Sequence, residues 1–131
     1  MPTDQPETIE EFEDAAQNVW DNLPGEFRRV VGNLSIQILD FAGADTLHSM
    51  RIPDRYGLLG LYHGVGLPFK STGDLPYGPD MIFLYRMPIL VYARERGENV
   101  SDVIRHVLIH EIGHHFGFSD DDMEAIEAGA S

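Results

Sequence analysis

Two histidines and a glutamate stand at H-E-x-x-H spacing in residues 110–114 of the chain. A helix turns about 100° per residue, so His110 and His114 lie one turn apart on the same face, where both imidazoles can bind one metal ion. Glu111 stands beside them, where a carboxylate can accept a proton from metal-bound water. The spacing therefore predicts a metal site on a helix, with Glu111 as its general base.

The residues that follow this motif offer a third ligand. Gly117 can end the helix in a left-handed conformation and turn the chain back, which places Asp120 where it could complete three protein ligands. Three protein ligands and an open position for water are typical of catalytic zinc, whereas structural zinc sites are closed by four. The other interpretation of Asp120 is an acid at a helix start beside Ser119, which the helix dipole favours.

Composition and charge restrict the class of partner and of site. Of 131 residues, 43% are hydrophobic, which suffices for one domain with a single modest core. The formal net charge is −13, from 22 acids and 9 bases, and every base lies between Arg28 and Arg105. Nucleic acids and anionic membranes are therefore not expected partners. Because the chain has no cysteine, disulfides, thiolate zinc sites and cysteine nucleophiles are excluded.

The chain shows no pattern typical of export or of membrane insertion. The acidic stretch from Met1 to Asp14 lacks the basic and apolar regions of a secretory signal. No run approaches the roughly 18 apolar residues of a transmembrane helix. We therefore expect a cytoplasmic protein in which residues 1–131 form a single domain.

Helices and short strands are predicted before the motif. Thr8 and Glu11 form a T-x-x-E capping box ahead of a helix that ends at Pro24-Gly25, and a short helical turn is expected around Phe27. Apolar residues that alternate with polar ones, or run for the length of a strand, predict three strands. These strands cover residues 34–38, 57–62 and 81–85, while 42–56 are predicted as loop and the glycine- and proline-rich 64–79 as an irregular excursion.

Three further helices are predicted around the motif. Pro88 fits the first turn of a helix that ends at Gly97. Ser101 is expected to cap the helix that carries the motif, and Ser119 is expected to cap a short final helix. On a helical wheel, His115 points about 100° from its neighbour in the motif, toward the apolar stripe, so a structural role is favoured.

The residues from 110 to 120, H-E-I-G-H-H-F-G-F-S-D, resemble the motif of small bacterial zincin-like metallopeptidases, which are single-domain proteins of about this length. L-L-G-L-Y-H-G-V-G-L-P at 58–68, P-D-M-I-F-L-Y-R at 79–86 and E-E-F-E at 10–13 are also similar to that family. The resemblance implies an α+β fold of the minimal zincin type, with a small mixed sheet packed on helices that include the active-site helix. It implies one zinc ion bound by His110, His114 and Asp120, with Glu111 catalytic, and it names no substrate.

Larger zincin classes differ from this chain after the motif. Metzincins have a third histidine where Asp120 stands and a methionine turn well downstream, which the eleven residues that remain cannot accommodate. Gluzincins use a glutamate of a later helix, here only Glu124 or Glu127, and both are close to the motif in sequence. The third ligand is therefore expected to be Asp120, with Asp121, Asp122 and Glu124 as alternatives.

The function predicted from these residues is zinc-dependent hydrolysis of a peptide bond. Glu111 would accept a proton from the attacking water and deliver it to the leaving amine, with zinc polarising the scissile carbonyl. We expect a peptide or protein substrate that pairs with residues 81–85 as an exposed sheet edge. A second electrophile is left open among Tyr62, His63, Tyr77, Tyr85 and Arg86.

Two other functions remain open at this point. One is a metal-binding pseudo-peptidase that holds peptides or partner proteins without turnover. The other is a metal-dependent hydrolase of another amide or of RNA, and the net charge of −13 argues against RNA. One further histidine, His106, lies one turn before the motif and is interpreted either as an outer partner of the site or as a rim residue.

Overall fold

A computed structural model describes residues 6–64 and 80–129 of the chain. The excursion predicted at 64–79 lies outside the described residues, apart from Gly64. In the part described, no helix is both long and apolar enough to cross a membrane. The described residues form six α-helices, three strands and a short 3-10 helix, Arg55–Gly57. In chain order the helices and strands are α1 (Ile9–Asp21), α2 (Gly25–Val31), β1 (Leu34–Leu39), α3 (Ala44–Ser49), β2 (Gly60–His63), β3 (Asp80–Tyr85), α4 (Arg86–Arg96), α5 (Val100–Phe116) and α6 (Asp120–Gly129).

The three strands form one mixed sheet in the order β1-β3-β2. β1 runs parallel to β3, with Leu34 opposite Asp80, and β2 runs antiparallel to β3, with Tyr62 opposite Ile82. A mixed sheet among helices confirms the predicted α+β class.

The central position of β3 corrects one prediction. We expected residues 81–85 to be an exposed edge, and they are paired on both sides. Ile82 and Leu84 on β3 are fully buried, which is typical of a central strand covered by helices. The strand edge that faces the motif helix belongs to β2 instead, since α5 packs against β2 and the backbone of Tyr62 is hydrogen-bonded to Glu111.

The first helix was predicted from a capping box and an apolar repeat, and the structure confirms it. The capping box is formed, because the Thr8 hydroxyl accepts from the Glu11 N–H at 3.1 Å and the Glu11 carboxylate accepts from the Thr8 N–H at 3.0 Å. The loop predicted for residues 42–56 is wrong in part, since α3 and the 3-10 helix lie there. Neither element contributes a buried residue, so neither has the apolar repeat by which a helix is recognised in sequence.

Helix α5 is the centre of the core. It packs against α1, α4 and α6 and against strands β2 and β3. Its buried residues recur along the helix and into the motif, and they are Val100, Val103, Ile104, Val107, Leu108, Ile109, Ile112 and Gly113. This apolar surface orients the helix, so the polar residues of the motif emerge where α5 leaves the core.

Helix α6 is held against α5 by a close contact at Gly113. A Cβ at this position would lie 2.4 Å from the sulfur of Met123, which is fully buried. Glycine in the H-E-x-x-H sequence therefore allows α6 to approach α5 more closely than a larger residue would permit. On α6, Glu127 contacts His106 and His110 of α5.

We expect Met123→Ala to lower the free energy of unfolding by about 2–5 kcal/mol, because it removes a fully buried side chain and leaves a cavity between α5 and α6. Met50→Ala is the matched control, since Met50 is 41% exposed and its loss should change stability by less than about 0.5 kcal/mol. Urea denaturation measures both values. Equal losses in the two variants would mean that this contact does not dock α6.

Candidate metal centre

The helix that carries the motif begins and ends at residues suited to those positions. Asn99 caps its N-terminus by accepting from the Ser101 N–H at 2.9 Å, so the expectation that Ser101 itself would be the cap is wrong. At the other end Gly117 has φ 78° and ψ 25°, the left-handed conformation that was predicted. The Phe118 N–H donates to the Gly113 carbonyl at 2.8 Å and completes the turn. The chain then reverses into α6.

The two histidines of the motif lie one turn apart at the C-terminal end of α5. The ring centroids of His110 and His114 are 6.0 Å apart and their planes meet at 76°. His110 is partly buried and His114 is exposed. Both imidazoles therefore belong to one face of the helix at a solvent-accessible position.

The surroundings of Glu111 change the acidity of its carboxyl group. Burial raises the pKa of its carboxyl group, and the favourable charges of His114 and His110 together with a backbone hydrogen bond from Tyr62 only partly oppose the rise. The same carboxylate acts on Tyr85, whose pKa is raised first by burial and then by the negative charge of Glu111. A partly buried carboxylate with a raised pKa, held beside two imidazoles, is suited to accept and return a proton.

Glu127 is the acid that the structure brings to the histidines. Its Oε1 lies 2.7 Å from Nε2 of His110, and its Oε2 lies 3.0 Å from Nδ1 of His106. Burial works to raise the pKa of Glu127, but the hydrogen bonds with His106 and His110 outweigh burial and hold this pKa below its usual value. One ligand atom from each of the three side chains lies within 4.8 Å of the others, a spacing that could hold a metal ion.

Glu127 is close to the motif in sequence and for that reason was not expected to be a ligand. In the structure α6 runs back along α5, so residues late in α6 lie beside residues early in α5. Glu127 stands two helical turns after Asp120, which is about 10 Å along α6. The carbonyl of Glu127 also accepts a hydrogen bond from the Arg105 guanidinium, which anchors this end of α6 to α5. Antiparallel pairing of the two helices was the signal that could have identified this acid.

Asp120 is the first residue of α6 and is exposed. Ser119 precedes it and caps the helix, accepting from the Asp122 N–H at 3.0 Å, as predicted. Among residues 6–64 and 80–129, no group forms a hydrogen bond or an ion pair with the Asp120 carboxylate. The structure thus places Asp120 directly after the turn at Gly117 and pairs a different acid with His110.

His115 lies at the surface, which corrects the expectation that it would point into the core. It is exposed, and its ring stacks on Tyr62 with centroids 4.1 Å apart and planes at 25°. The last turn of α5 lies beside edge strand β2, so this side of the helix meets a tyrosine at the sheet margin. The Tyr62 hydroxyl in turn donates to Asp80 at 2.6 Å.

The side chains considered as a second electrophile differ in their burial and in their contacts. Tyr85 is almost fully buried and is the tyrosine whose pKa responds to the charge of Glu111. Arg86 is bound elsewhere, to the Asp40 carboxylate at 2.7 Å, and His63 is exposed at the end of β2. Tyr77 lies outside the described residues.

A helix that carries H-E-x-x-H beside a small mixed sheet defines a protein of the zincin class. The chain belongs to the zincin-like metallopeptidase family, whose model matches residues 31–130. A solved structure of similar fold is a conserved hypothetical protein from Thermo thermophilus, at 21% identity and a TM-score of 0.50, with 84% of this chain and 94% of that chain covered. No curated protein is significantly similar to the chain.

Proposed function

We propose that the protein is a zinc-dependent peptidase in which Glu111 is the general base and His110, His114 and Asp120 are the metal ligands. The environment of Glu111 carries this proposal. Its carboxylate is partly buried, lies within the electrostatic reach of both motif histidines and is held by the backbone of an edge strand. Membership of the zincin-like metallopeptidase family supports the same reaction class.

The donor atoms near this glutamate fit zinc. His110 and His114 lie one turn apart and would supply two imidazole nitrogens, Asp120 would supply a carboxylate oxygen, and the chain has no thiolate. Zinc bound there would polarise the carbonyl of the scissile bond and make the attacking water more acidic. The turn at Gly117 leads directly into Asp120, which supports this acid as the third ligand.

The residues of the chain then supply the proton transfers. Glu111 accepts a proton from the attacking water while the oxygen of that water bonds to the carbonyl carbon of the substrate. The same proton passes to the nitrogen of the leaving amine as the C–N bond breaks. Burial supports this double role, because the raised pKa of Glu111 brings it closer to those of the groups with which it exchanges the proton.

The substrate in this proposal lies along β2. Tyr62 on β2 directs its backbone N–H to Glu111, so the edge of this strand that has no partner strand among the described residues borders the base. A peptide paired with β2 through its main chain would present its carbonyl groups next to Glu111 without requiring a particular side chain. We therefore propose a peptide or protein substrate held by backbone pairing.

One observation favours the second function, a peptide-binding protein without turnover. Nε2 of His110 is paired with Glu127 at 2.7 Å, and Asp120 is exposed. A metal ion bound by His110 and Glu127 would lie away from Glu111. Such an ion could help to hold a peptide, but Glu111 could not take a proton from its water.

Zinc removal and restoration test the two functions against each other. We expect the zinc-loaded protein to cleave members of a mixed peptide library, a chelator to abolish cleavage and added zinc to restore it, with products identified by mass spectrometry. Uncut peptides that nevertheless remain bound to zinc-loaded protein would favour the binding function and contradict the peptidase.

A further inference from the structure

His110 is the middle member of three histidines spaced one helical turn apart on α5. His106 precedes it by four residues and His114 follows it by four. The ring centroids of His106 and His110 are 4.0 Å apart with planes at 33°, whereas His110 and His114 are separated by 6.0 Å. His110 thus belongs to two neighbouring pairs, and the pair outside the H-E-x-x-H motif is the closer one.

A carboxylate completes this closer pair. Glu127 contacts both rings, with one oxygen at 2.7 Å from His110 and the other at 3.0 Å from His106. The buried Met123 and the hydrogen bond from Arg105 to the Glu127 carbonyl hold the helix that carries this glutamate. Three donors on two packed helices are therefore already assembled.

We propose that His106, His110 and Glu127 form a second site for a divalent cation of the zinc class, which shares His110 with the donor set of the H-E-x-x-H motif but takes its other two ligands from outside it. Two imidazoles and one carboxylate are a ligand set that zinc accepts at about 2.0–2.2 Å. Such bond lengths require donor atoms roughly 3.3 Å apart in a tetrahedral site. The two N···O distances, 2.7 and 3.0 Å, are a little shorter than this, and one ligand atom from each side chain lies within 4.8 Å of the others. The His106 side chain is 50% exposed, which leaves room for water as a fourth ligand.

The two sites compete for one side chain. A neutral imidazole has one free lone pair, so His110 binds one ion at a time. An ion in the second site would therefore withdraw His110 from its pairing with His114. This competition, unlike the second site itself, rests on the proposed function.

If Glu127 has a different role, the effect of removing the motif ligands on metal binding should be the opposite. A carboxylate beside a metal-binding histidine often orients that histidine without touching the ion. If Glu127 only orients His110, metal binding depends on the motif ligands and disappears when they are removed. If the second site exists, metal binding survives their removal.

The test uses the full chain with His114→Ala and Asp120→Asn combined, which removes two of the three proposed motif ligands. After treatment with a chelator, this double variant is titrated with zinc by calorimetry and with Co²⁺ by visible absorption. We expect one equivalent of either ion to bind. Adding Glu127→Gln or His106→Asn should weaken zinc binding at least about 10-fold, since loss even of an outer partner costs 10–100-fold.

Matched controls in the same background are Glu13→Gln, an exposed glutamate of α1, and His48→Asn, an exposed histidine of α3. They should leave the zinc affinity unchanged. A double variant that binds no zinc, or binds it equally well with and without Glu127→Gln, overturns the second site. Thermal unfolding verifies that the variants are folded. If the double variant is unfolded, zinc affinity with and without Glu127→Gln is compared in the His114→Ala single variant. None of these titrations measures cleavage, so failure of the peptidase assay would leave the second site standing.

Discussion

Glu111→Gln is expected to lower kcat for peptide cleavage by about 10²–10⁴-fold while zinc affinity changes little. The amide has nearly the same shape as the carboxylate but cannot accept the proton of the attacking water. The pKa of this carboxylate is affected by burial, by the two motif histidines and by the Tyr62 backbone. Glu111 is not a proposed ligand, so its replacement removes the base and leaves the ligands in place. Steady-state kinetics on a peptide found in the library assay measure kcat, and calorimetry measures zinc affinity.

Glu13→Gln is the control for this prediction, because it makes the same change of charge at an exposed position of α1. It should leave both kcat and zinc affinity as in the parent protein. Cleavage by the Glu111 variant at the rate of the parent would show that another group takes the proton, and the proposed mechanism would fail. Loss of zinc from the Glu111 variant would instead mean that this carboxylate is a ligand.

His110→Ala is expected to abolish zinc binding and, with it, all cleavage. His110 is the side chain shared by the motif ligands and by the second donor set with Glu127, so no pair of imidazoles remains intact after its removal. The loss should exceed the 10–100-fold that removal of an outer partner costs. His106→Asn and His114→Ala should each retain measurable zinc binding, because each leaves one of the two pairs.

Calorimetry of the three single variants measures their zinc affinities and so ranks them directly, with His48→Ala as the control. His48 lies exposed on α3 and contributes to neither pair. Zinc binding by the His110 variant at the affinity of the parent protein would contradict both donor sets. Thermal unfolding should accompany the titrations, because His110 also pairs with Glu127 and its removal can loosen α6.

Predictions from local patterns agreed with the structure where a few adjacent residues contain all the information. The capping box at Thr8 and the left-handed turn at Gly117 are such cases, because backbone geometry and nearby hydrogen bonds decide them. The role expected for residues 81–85 failed for the opposite reason. An apolar run of that length is compatible with an edge or a central strand, and only pairing with β1 and β2 distinguishes the two.

The motif helix, the one-turn spacing of His110 and His114 and the position of Glu111 between them could all be predicted without a structure, because they follow from helical periodicity. The pairing of Glu127 with His110 and the position of β2 beside Glu111 could not be predicted in this way and became visible in the folded chain. These contacts depend on α6 running back along α5 and on the order of the strands. Such arrangements come from the packing of surfaces distant in sequence, which no local spacing encodes.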